Sequence, residues 1–546
     1  MAIAPQPASV AFPRLTPEDI ALLDGLGERR TFDDGVALFR EGETGFPFYV
    51  IVRGRMSVVE GSSGEEREVV VHEAGEFSGD VDLLSGRPAV VSGLAVGETE
   101  VLAIPVERLR QVVKRCPNVG DRVMQAFLER RRLLVESGFV GVRVLGSRFS
   151  ADTLRIREFL AKNGQPYTWT DLETDAEAQT LLERFGITPA QTPVVRCEGR
   201  SMLHNPTNAE LADCLGIRRP VEDTTFDLVV VGAGPAGLAA AVYGASEGLK
   251  TLVLDKTGPG GQAGTSSKIE NYMGFPMGLS GSELAERAVL QARKFGAELS
   301  VPAEVVGLEC GFGHHILRLA DGSSIRARAV LIASGASYRK LPATNAQKYE
   351  GSGLFYACTA VEAQLCSETH AFVVGGGNSA GQAAVFLSGR TKGVSVVIRG
   401  GDLGKSMSEY LATRIESSPS IEVLKETEIR GLEGNGRLER VRSRNKRTGE
   451  ETATDSGAVF VFIGADPHTH WLPYCVAVDS KGFVLTGPEA KSGDWHLDRD
   501  PGPLETSVPG VFAAGDVRAA SVKRVASAVG EGSMTVHLVH RYLSGR

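Results

Sequence analysis

The stretch Phe226-Asp-Leu-Val-Val-Val-Gly-Ala-Gly-Pro-Ala-Gly237 runs an apolar strand straight into a Gly-x-Gly-x-x-Gly turn, and an Ala-rich helix is expected over residues 238–247. That order leaves the chain little choice of fold. Gly232 permits the tight turn, Gly234 lets a pyrophosphate reach the helix N-terminus past Pro235 and Ala236, and Gly237 allows close helix-to-strand packing. The next strand, over 251–254, ends at Asp255, placed to accept hydrogen bonds from an adenosine ribose, with Lys256 after it.

A second fingerprint, Ala371-Phe-Val-Val-Gly-Gly-Gly-Asn-Ser-Ala380, repeats the strand, the turn (Gly375, Gly377) and the helix start (Asn378, Ser379, Ala380). Two dinucleotide sites in one chain suggest a flavin together with a nicotinamide cofactor. The strand expected over 394–398 ends in Arg399 rather than an acid, which favours NADPH over NADH because a guanidinium can pair with a 2′-phosphate; NADH stays open. A third motif, Thr506-Ser-Val-Pro-Gly-Val-Phe-Ala-Ala-Gly515-Asp516-Val, lies near the C-terminus.

Taken with Gly260-Gly261-Gln262, Ile269-Glu-Asn271-Tyr-Met-Gly-Phe275, Ala333-Ser-Gly335 and Gly530-Glu-Gly532, these segments resemble the low-molecular-weight thioredoxin reductase family across residues 226–546. The resemblance implies an FAD domain (224–342 and 464–546) split by an inserted NAD(P)H domain (343–463), and a homodimer. It also implies that Asp516 holds the ribityl chain, that Gln262 and Asn271 lie along the flavin, and that Lys523-Arg524-Val525 covers its pyrimidine end. The family's Arg-Gln pair is replaced there by Lys523-Arg524.

The family's Cys-x-x-Cys-Asp falls on Cys358-Thr-Ala-Val361-Glu362, so one cysteine survives and its partner is Val. Cys366 stands eight residues on, about 12 Å away along a helix and beyond the reach of a disulfide. Cys358 is read as a structural thiol, with a catalytic role kept as the alternative. The NADPH loop is thinned to Ile398-Arg399-Gly-Gly-Asp-Leu-Gly404 with Lys405 nearby. A long hairpin is expected between Leu485 and Leu504, where Trp495 and His496 could cover a site, and His468 and His470 stand as candidate acids near a substrate.

Two further units precede the catalytic half. Residues 13–138 alternate short β-like runs (49–52, 56–59, 68–72) with Gly-containing turns and resemble a cyclic-nucleotide-binding roll through Phe48-Tyr-Val-Ile-Val-Arg-Gly54 and Phe77-Ser-Gly-Asp-Val-Asp-Leu-Leu-Ser-Gly-Arg-Pro88. The family's phosphate cassette uses a Glu, an Arg and a small hydroxyl residue; here these positions hold Asp80, Ala89 and Val90, with Arg87 able to substitute only if the loop shifts. Cyclic nucleotide is therefore not expected to bind. Residues 140–219 read strand (142–145), helix (153–162), strand (167–171), a second helix, then Thr192-Pro193-Val-Val, and resemble a glutaredoxin or thioredoxin-like domain, whose proline is typically cis. Ser150-Ala-Asp-Thr153 occupies the dithiol position, and Cys197 and Cys214 are expected to be buried small residues.

The fold class expected is thus multidomain α/β: a β-roll, a thioredoxin-like βαβ unit and two Rossmann-like domains. The 65 glycines without collagen periodicity suit nucleotide-binding turns, and a net charge of −8 provides no field for nucleic acid. Residues 1–13 lack a basic cluster followed by an apolar core, and no apolar run reaches membrane-spanning length, so a cytoplasmic protein without membrane contact is expected. Seven cysteines without close repeated spacing suggest neither a disulfide framework nor a metal site. The activity expected is hydride transfer from NADPH to FAD and onward to a small-molecule or protein acceptor. The alternatives are a redox- or nucleotide-responsive regulatory flavoprotein, and a thiol reductase in which Cys358 works with a partner's thiol.

Overall fold

The computed structural model describes residues 10–545 apart from 61–66, 81, 82, 85, 137–141, 176–187, 189, 190, 198–201, 219, 220, 222, 223, 267, 312, 357, 359, 368, 406, 492–494 and 496. The second helix expected in the thioredoxin-like unit, and His496, lie outside the described residues.

In the N-terminal roll, Glu28–Phe32, Ser92–Ile104, Phe48–Glu60 and Arg67–Glu73 form one sheet in that order, with Ala37–Phe39 also pairing with Ser92–Ile104. The two strands read at 49–52 and 56–59 are a single strand. Gly54 absorbs the break with φ +87° and register shifts on either side, and a Cβ there would stand 2.6 Å from the Glu98 carbonyl oxygen. Helices Val106–Arg115 and Pro117–Glu136 follow.

The second unit has the sheet order Tyr167–Asp171, Val142–Gly146, Val194–Cys197, Met202–His204, with the first pair parallel and the others antiparallel. Helix Ala151–Lys162 starts two residues before its expected position because the Ser150 side chain caps the Thr153 N–H. The Thr192-Pro193 peptide is cis, as expected. One expectation fails here: Cys197 and Cys214 are disulfide-bonded. Helix Asn208–Cys214 packs so that its end meets the end of strand Val194–Cys197, bringing the two Cα atoms to 6.5 Å, inside the bridging range. The bond lies away from the Ser150–Thr153 helix start, so that position still carries no dithiol.

The catalytic half is built on two large sheets, with a three-stranded antiparallel sheet of Thr427–Glu433, Arg440–Asn445 and Glu451–Asp455 beside the second. In the first, Glu298–Ser300, Thr251–Leu254, Thr225–Val231 and Ser324–Ile332 (from Arg326 on) are parallel neighbours, and Val511–Ala513 slots against Val330–Ile332 from the far end of the chain. Val229 and Val231 face one apolar cluster and Leu228 and Val230 the other, which is why this strand is apolar on both faces. Helix Val525–Ser544 lies on helix Pro235–Ser246 so closely that a Cβ on Gly532 would stand 2.1 Å from the Ala236 carbonyl oxygen. The second sheet is wholly parallel: Leu354–Phe355, Ala458–Val461, His370–Val374, Gly393–Val397, Ile421–Leu424. An antiparallel ribbon, Ala336–Tyr338 with Ala465–Pro467, joins the two.

Among its described residues, the segment expected to form a long hairpin has a 3-10 turn at Gly487–Ala490 and no strand. Trp495 is buried, donates its indole N–H to the Arg499 carbonyl at 2.5 Å, and stacks near the Arg499 guanidinium, which is itself held by Glu505 at 2.6 and 2.9 Å. It seals this loop and covers no cofactor cavity. Among the described residues no helix is long and apolar enough to cross a membrane.

Candidate active site

Both fingerprints open onto one cavity of about 730 Å³. On its first wall Gly232 takes φ +108° and Gly237 sits beneath it; a Cβ on Gly237 would be 1.9 Å from the Gly232 carbonyl oxygen, so only glycine allows the helix this close. Gly234 differs: its nearest neighbour to an added Cβ is the Gly261 Cα at 3.9 Å, leaving room over the helix N-terminus at Pro235 and Ala236. Asp255 lies at the cavity edge beside Lys256 and accepts N–H bonds from Ala233, Thr257 and Gly258, each at 2.9 Å. It therefore shapes the phosphate-facing loop from both sides.

Gln262, Asn271, Ala333 and Gly335 line the middle of the cavity, and the Gln262 amide donates to the Ala336 carbonyl. The third motif closes it. Gly515, at φ +77°, turns the chain so that Asp516 enters the cavity, and the Gly515 N–H is held by Glu531 at 2.7 Å. Burial raises the Asp516 carboxyl above its ordinary value against the opposing pull of Lys523. No hydrogen bond to the carboxylate oxygens is found among the described residues; Lys523 donates instead to the Asp516 backbone oxygen at 2.5 Å. Lys523, Arg524 and Val525 line the cavity where helix Val525–Ser544 begins, and the N-cap residue Arg524 makes no side-chain cap bond to it.

From the second fingerprint, Asn378 and Ser379 reach the same cavity, while Gly375 (φ +144°), Gly377 and Ala380 form the turn and helix start behind them. Arg399 is exposed at the C-terminal end of strand Gly393–Val397, outside the cavity but adjacent to the turn, since the Gly375 N–H bonds the Val397 carbonyl at 3.0 Å. Cys358 is not at the surface of the cavity. It is buried in an apolar cluster that also holds Cys366, although its backbone pairs with Ser266 on the FAD-side wall. Burial, then Glu362, then Cys366 push its thiol well above the ordinary value, so the nucleophilic thiolate is suppressed. The helix there spans only Ala360–Leu365, so Cys358 precedes it; both thiols are free.

Sequence reasoning missed several wall residues. Tyr338, in the inter-domain ribbon, has its hydroxyl pushed up to about 12 by burial. Glu362 is a buried acid of the wall. His468 and His470, read from the sequence as candidate acids, line the cavity, with His468 lowered by burial first and Lys256 second. Least expected, Ala151, Leu154, Glu158 and Lys162 make the helix of the thioredoxin-like unit a wall of the same cavity. Helix Ala151–Lys162 is pinned there at both ends. A Cβ on Gly351 would touch Ala151 at 3.0 Å, and the Asn163 amide donates to the Thr257 carbonyl at 3.0 Å. No sequence signal announces a docking of this kind; only the small residues Gly258 and Gly351 hint at close approach.

In the roll, Arg87 does not turn toward the phosphate position. Its guanidinium donates to the Asn163 carbonyl at 2.8 Å, tying the cassette to the thioredoxin-like unit. Ala89 and Val90 line a separate small apolar cavity of about 90 Å³.

Comparison with known proteins matches this geometry. Residues 226–532 fit the profile of the pyridine nucleotide-disulphide oxidoreductases, and residues 29–116 that of the cyclic nucleotide-binding domain. The chain belongs to the pyridine nucleotide-disulphide oxidoreductase family. It is 33% identical to the thioredoxin reductase of Treponema pallidum over 59% of this chain and 98% of the relative, and 31% identical to that of Bacillus subtilis over 59% and 96%. Among solved structures, the thioredoxin reductase of T. acidophilum matches with a TM-score of 0.53 and 29% identity, over 59% of this chain and all but 1% of the other (99% covered). The oxidoreductase is thus a thioredoxin reductase-like flavoenzyme of a family that uses FAD and NADPH, extended by an N-terminal cyclic nucleotide-binding-type roll.

The cavity fits a flavin dinucleotide on its own terms: an open glycine over a helix N-terminus, and a half-buried carboxylate at Asp516 whose oxygens accept no hydrogen bond among the described residues. A carboxylate facing the cavity is an acceptor only, and ribityl hydroxyls would donate to it.

Proposed function

We propose that this oxidoreductase passes reducing equivalents from NADPH to an acceptor outside its own chain, without an internal dithiol relay. FAD, when bound, supplies the two-electron chemistry. Gly232, Gly234, Pro235, Ala236 and Gly237 would seat its pyrophosphate and Asp255 its ribose. Asp516 would take the ribityl chain, and Lys523, Arg524 and Val525 would close the pyrimidine end. Asn378 and Ser379 would meet the NADPH pyrophosphate and Arg399 its 2′-phosphate. The domain limits 13–138, 140–219, 224–342 with 464–546, and 343–463 accompany this assignment, as do a homodimer and a cytoplasmic setting.

The observation that carries the reading is the burial of Cys358 in an apolar cluster with no second cysteine at Val361. A thiol held protonated cannot attack a disulfide. Helix Ala151–Lys162, walling the cavity, further favours a small acceptor such as oxygen, a quinone or a low-molecular-weight disulfide over a docking protein. Steady-state NADPH oxidation by the full chain against such a panel tests this, with Cys358→Ser alongside. Turnover unchanged in the variant supports the proposal; loss of turnover with disulfide acceptors alone would return Cys358 to a catalytic role.

A regulatory reading has its own support. The roll's cassette reaches the cavity wall through Arg87 and Asn163, so a change in the roll has a physical route to the cofactor site. A ligand-dependent change of shape without turnover would favour it.

A further inference from the structure

Cys310 closes strand Val305–Cys310 of the FAD domain, and Cys475 sits in the exposed loop after Trp471. They are 165 residues apart in sequence, both free, and their sulfur atoms are 3.2 Å from each other. A disulfide needs about 2.05 Å, so roughly 1 Å of side-chain motion joins them. We propose that Cys310 and Cys475 form a reversible dithiol–disulfide couple, a redox modification site independent of the position where the family carries its Cys-x-x-Cys.

Access and chemistry run in one order. Cys475 is exposed, whereas Cys310 is half-buried and its thiol is pushed far up, first by burial and then by the neighbouring Cys475 sulfur. Cys475 therefore meets an incoming low-molecular-weight disulfide first: its thiolate attacks one sulfur, expels one thiolate and becomes a mixed disulfide. That step removes the charge of Cys475 that opposed ionisation of Cys310. The Cys310 sulfur then attacks the Cys475 sulfur and expels the second thiolate. The two cysteines lose two electrons and two protons, and one small disulfide becomes two thiols. An external dithiol reverses the sequence.

The couple has a structural reach. The strand ending at Cys310 begins at Val305, beside Glu304, and the loop bearing Cys475 begins with His468, His470 and Trp471; all five of these residues line the cofactor cavity. Oxidation would staple two walls of that cavity together by a covalent bond, next to a loop that Ser507 already holds by donating to the Cys475 carbonyl at 2.5 Å and accepting from the Ala477 N–H at 2.8 Å.

The test uses the full chain with its flavin, reduced with dithiothreitol, desalted, and equilibrated across ratios of oxidised to reduced glutathione before alkylation and peptide mapping. The expected result is a cross-linked pair of peptides containing Cys310 and Cys475, formed and lost reversibly. Cys475→Ser and Cys310→Ser should each abolish it, while the Cys197–Cys214 linkage persists in both. Two results would overturn the proposal: both thiols remain alkylatable at the most oxidising ratio, or glutathione stays on Cys475 and Cys310 never joins it. Mapping of the unmutated protein decides the matter even where a serine variant folds poorly.

Discussion

Asp516 is a carboxylate whose surroundings leave it work to do: burial pushes its pKa up, yet its oxygens accept no hydrogen bond among the described residues. A hydrogen bond to a charged group is worth about 1.5–3 kcal/mol, so Asp516→Ala should weaken flavin retention roughly ten- to a hundredfold. The flavin-to-protein ratio after dialysis measures this, and full retention would show that the carboxylate does not hold the ribityl chain. Arg399→Ala should raise KM for NADPH by a similar factor, through loss of one charge-assisted contact, and leave NADH nearly unchanged. Equal effects on both cofactors in steady-state assays would remove the residue from the 2′-phosphate. These residues could be read from sequence because each sits at a fixed place in its motif, Asp516 directly after the Gly515 turn and Arg399 just past the end of the strand that follows the second fingerprint. Arg87, Trp495 and the Cys197–Cys214 pair could not. Their partners, the Asn163 carbonyl, the Arg499 carbonyl and each other, depend on how separate elements pack, which local spacing does not encode.

Among the elements, strand Arg67–Glu73 carries a consequence for pH. It buries His72, whose imidazole is lowered to about 4 by burial and by Arg130, against the pull of Glu76 at 3.2 Å. The folded pKa lies below the unfolded value of 6.5, so the unfolded chain binds the extra proton as pH falls. Stability is then full above about 6.5 and declines by about 1.4 kcal/mol per pH unit down to about 4. Thermal midpoints of the full chain from pH 7.5 downward should fall accordingly, and His72→Gln should flatten that decline; an unchanged slope would assign the acid sensitivity elsewhere. Helix Ala151–Lys162 makes the second case. Its C-cap Asn163 donates to both the Phe159 and Thr257 carbonyls, so Asn163→Ala should cost about 1–3 kcal/mol and loosen the loop that carries Asp255. Faster flavin release with unchanged KM for NADPH is the expected signature, and unaltered release would confine Asn163 to its own helix. That this helix exists was legible from its capping serine and its periodicity. Its role as a cavity wall was not, because the residues that place it, Gly258 and Gly351, belong to other domains.

At the scale of the whole molecule, the roll keeps its family's frame without the family's phosphate clamp. Its cavity of about 90 Å³ is lined mostly by apolar and aromatic side chains, Ala89 and Val90 among them, together with His72 and Asp80. Arg130, which also lines it, donates two of its nitrogens to the Ala11 and Gly79 carbonyls, both at 2.7 Å, and its charge is already drawn on by Glu76 and Asp80. Leaving a buried phosphate uncompensated costs about 2–5 kcal/mol, which moves micromolar affinity to roughly millimolar. Calorimetric titration with cyclic AMP and cyclic GMP should therefore show no micromolar binding; such binding by either would mean that a cation has been recruited to the phosphate. Finally, the FAD-side sheet receives strand Val511–Ala513 against Ser324–Ile332 from the far end of the chain, and the helix after its glycine turn is packed by helix Val525–Ser544. On the ribosome, the roll and the thioredoxin-like unit can fold while the fingerprint at Gly232 waits, half-built, for nearly three hundred further residues to emerge. Flavin capture thus becomes the last event of biosynthesis, and a nascent chain stalled before Val511 would be colourless however well its first domains had folded.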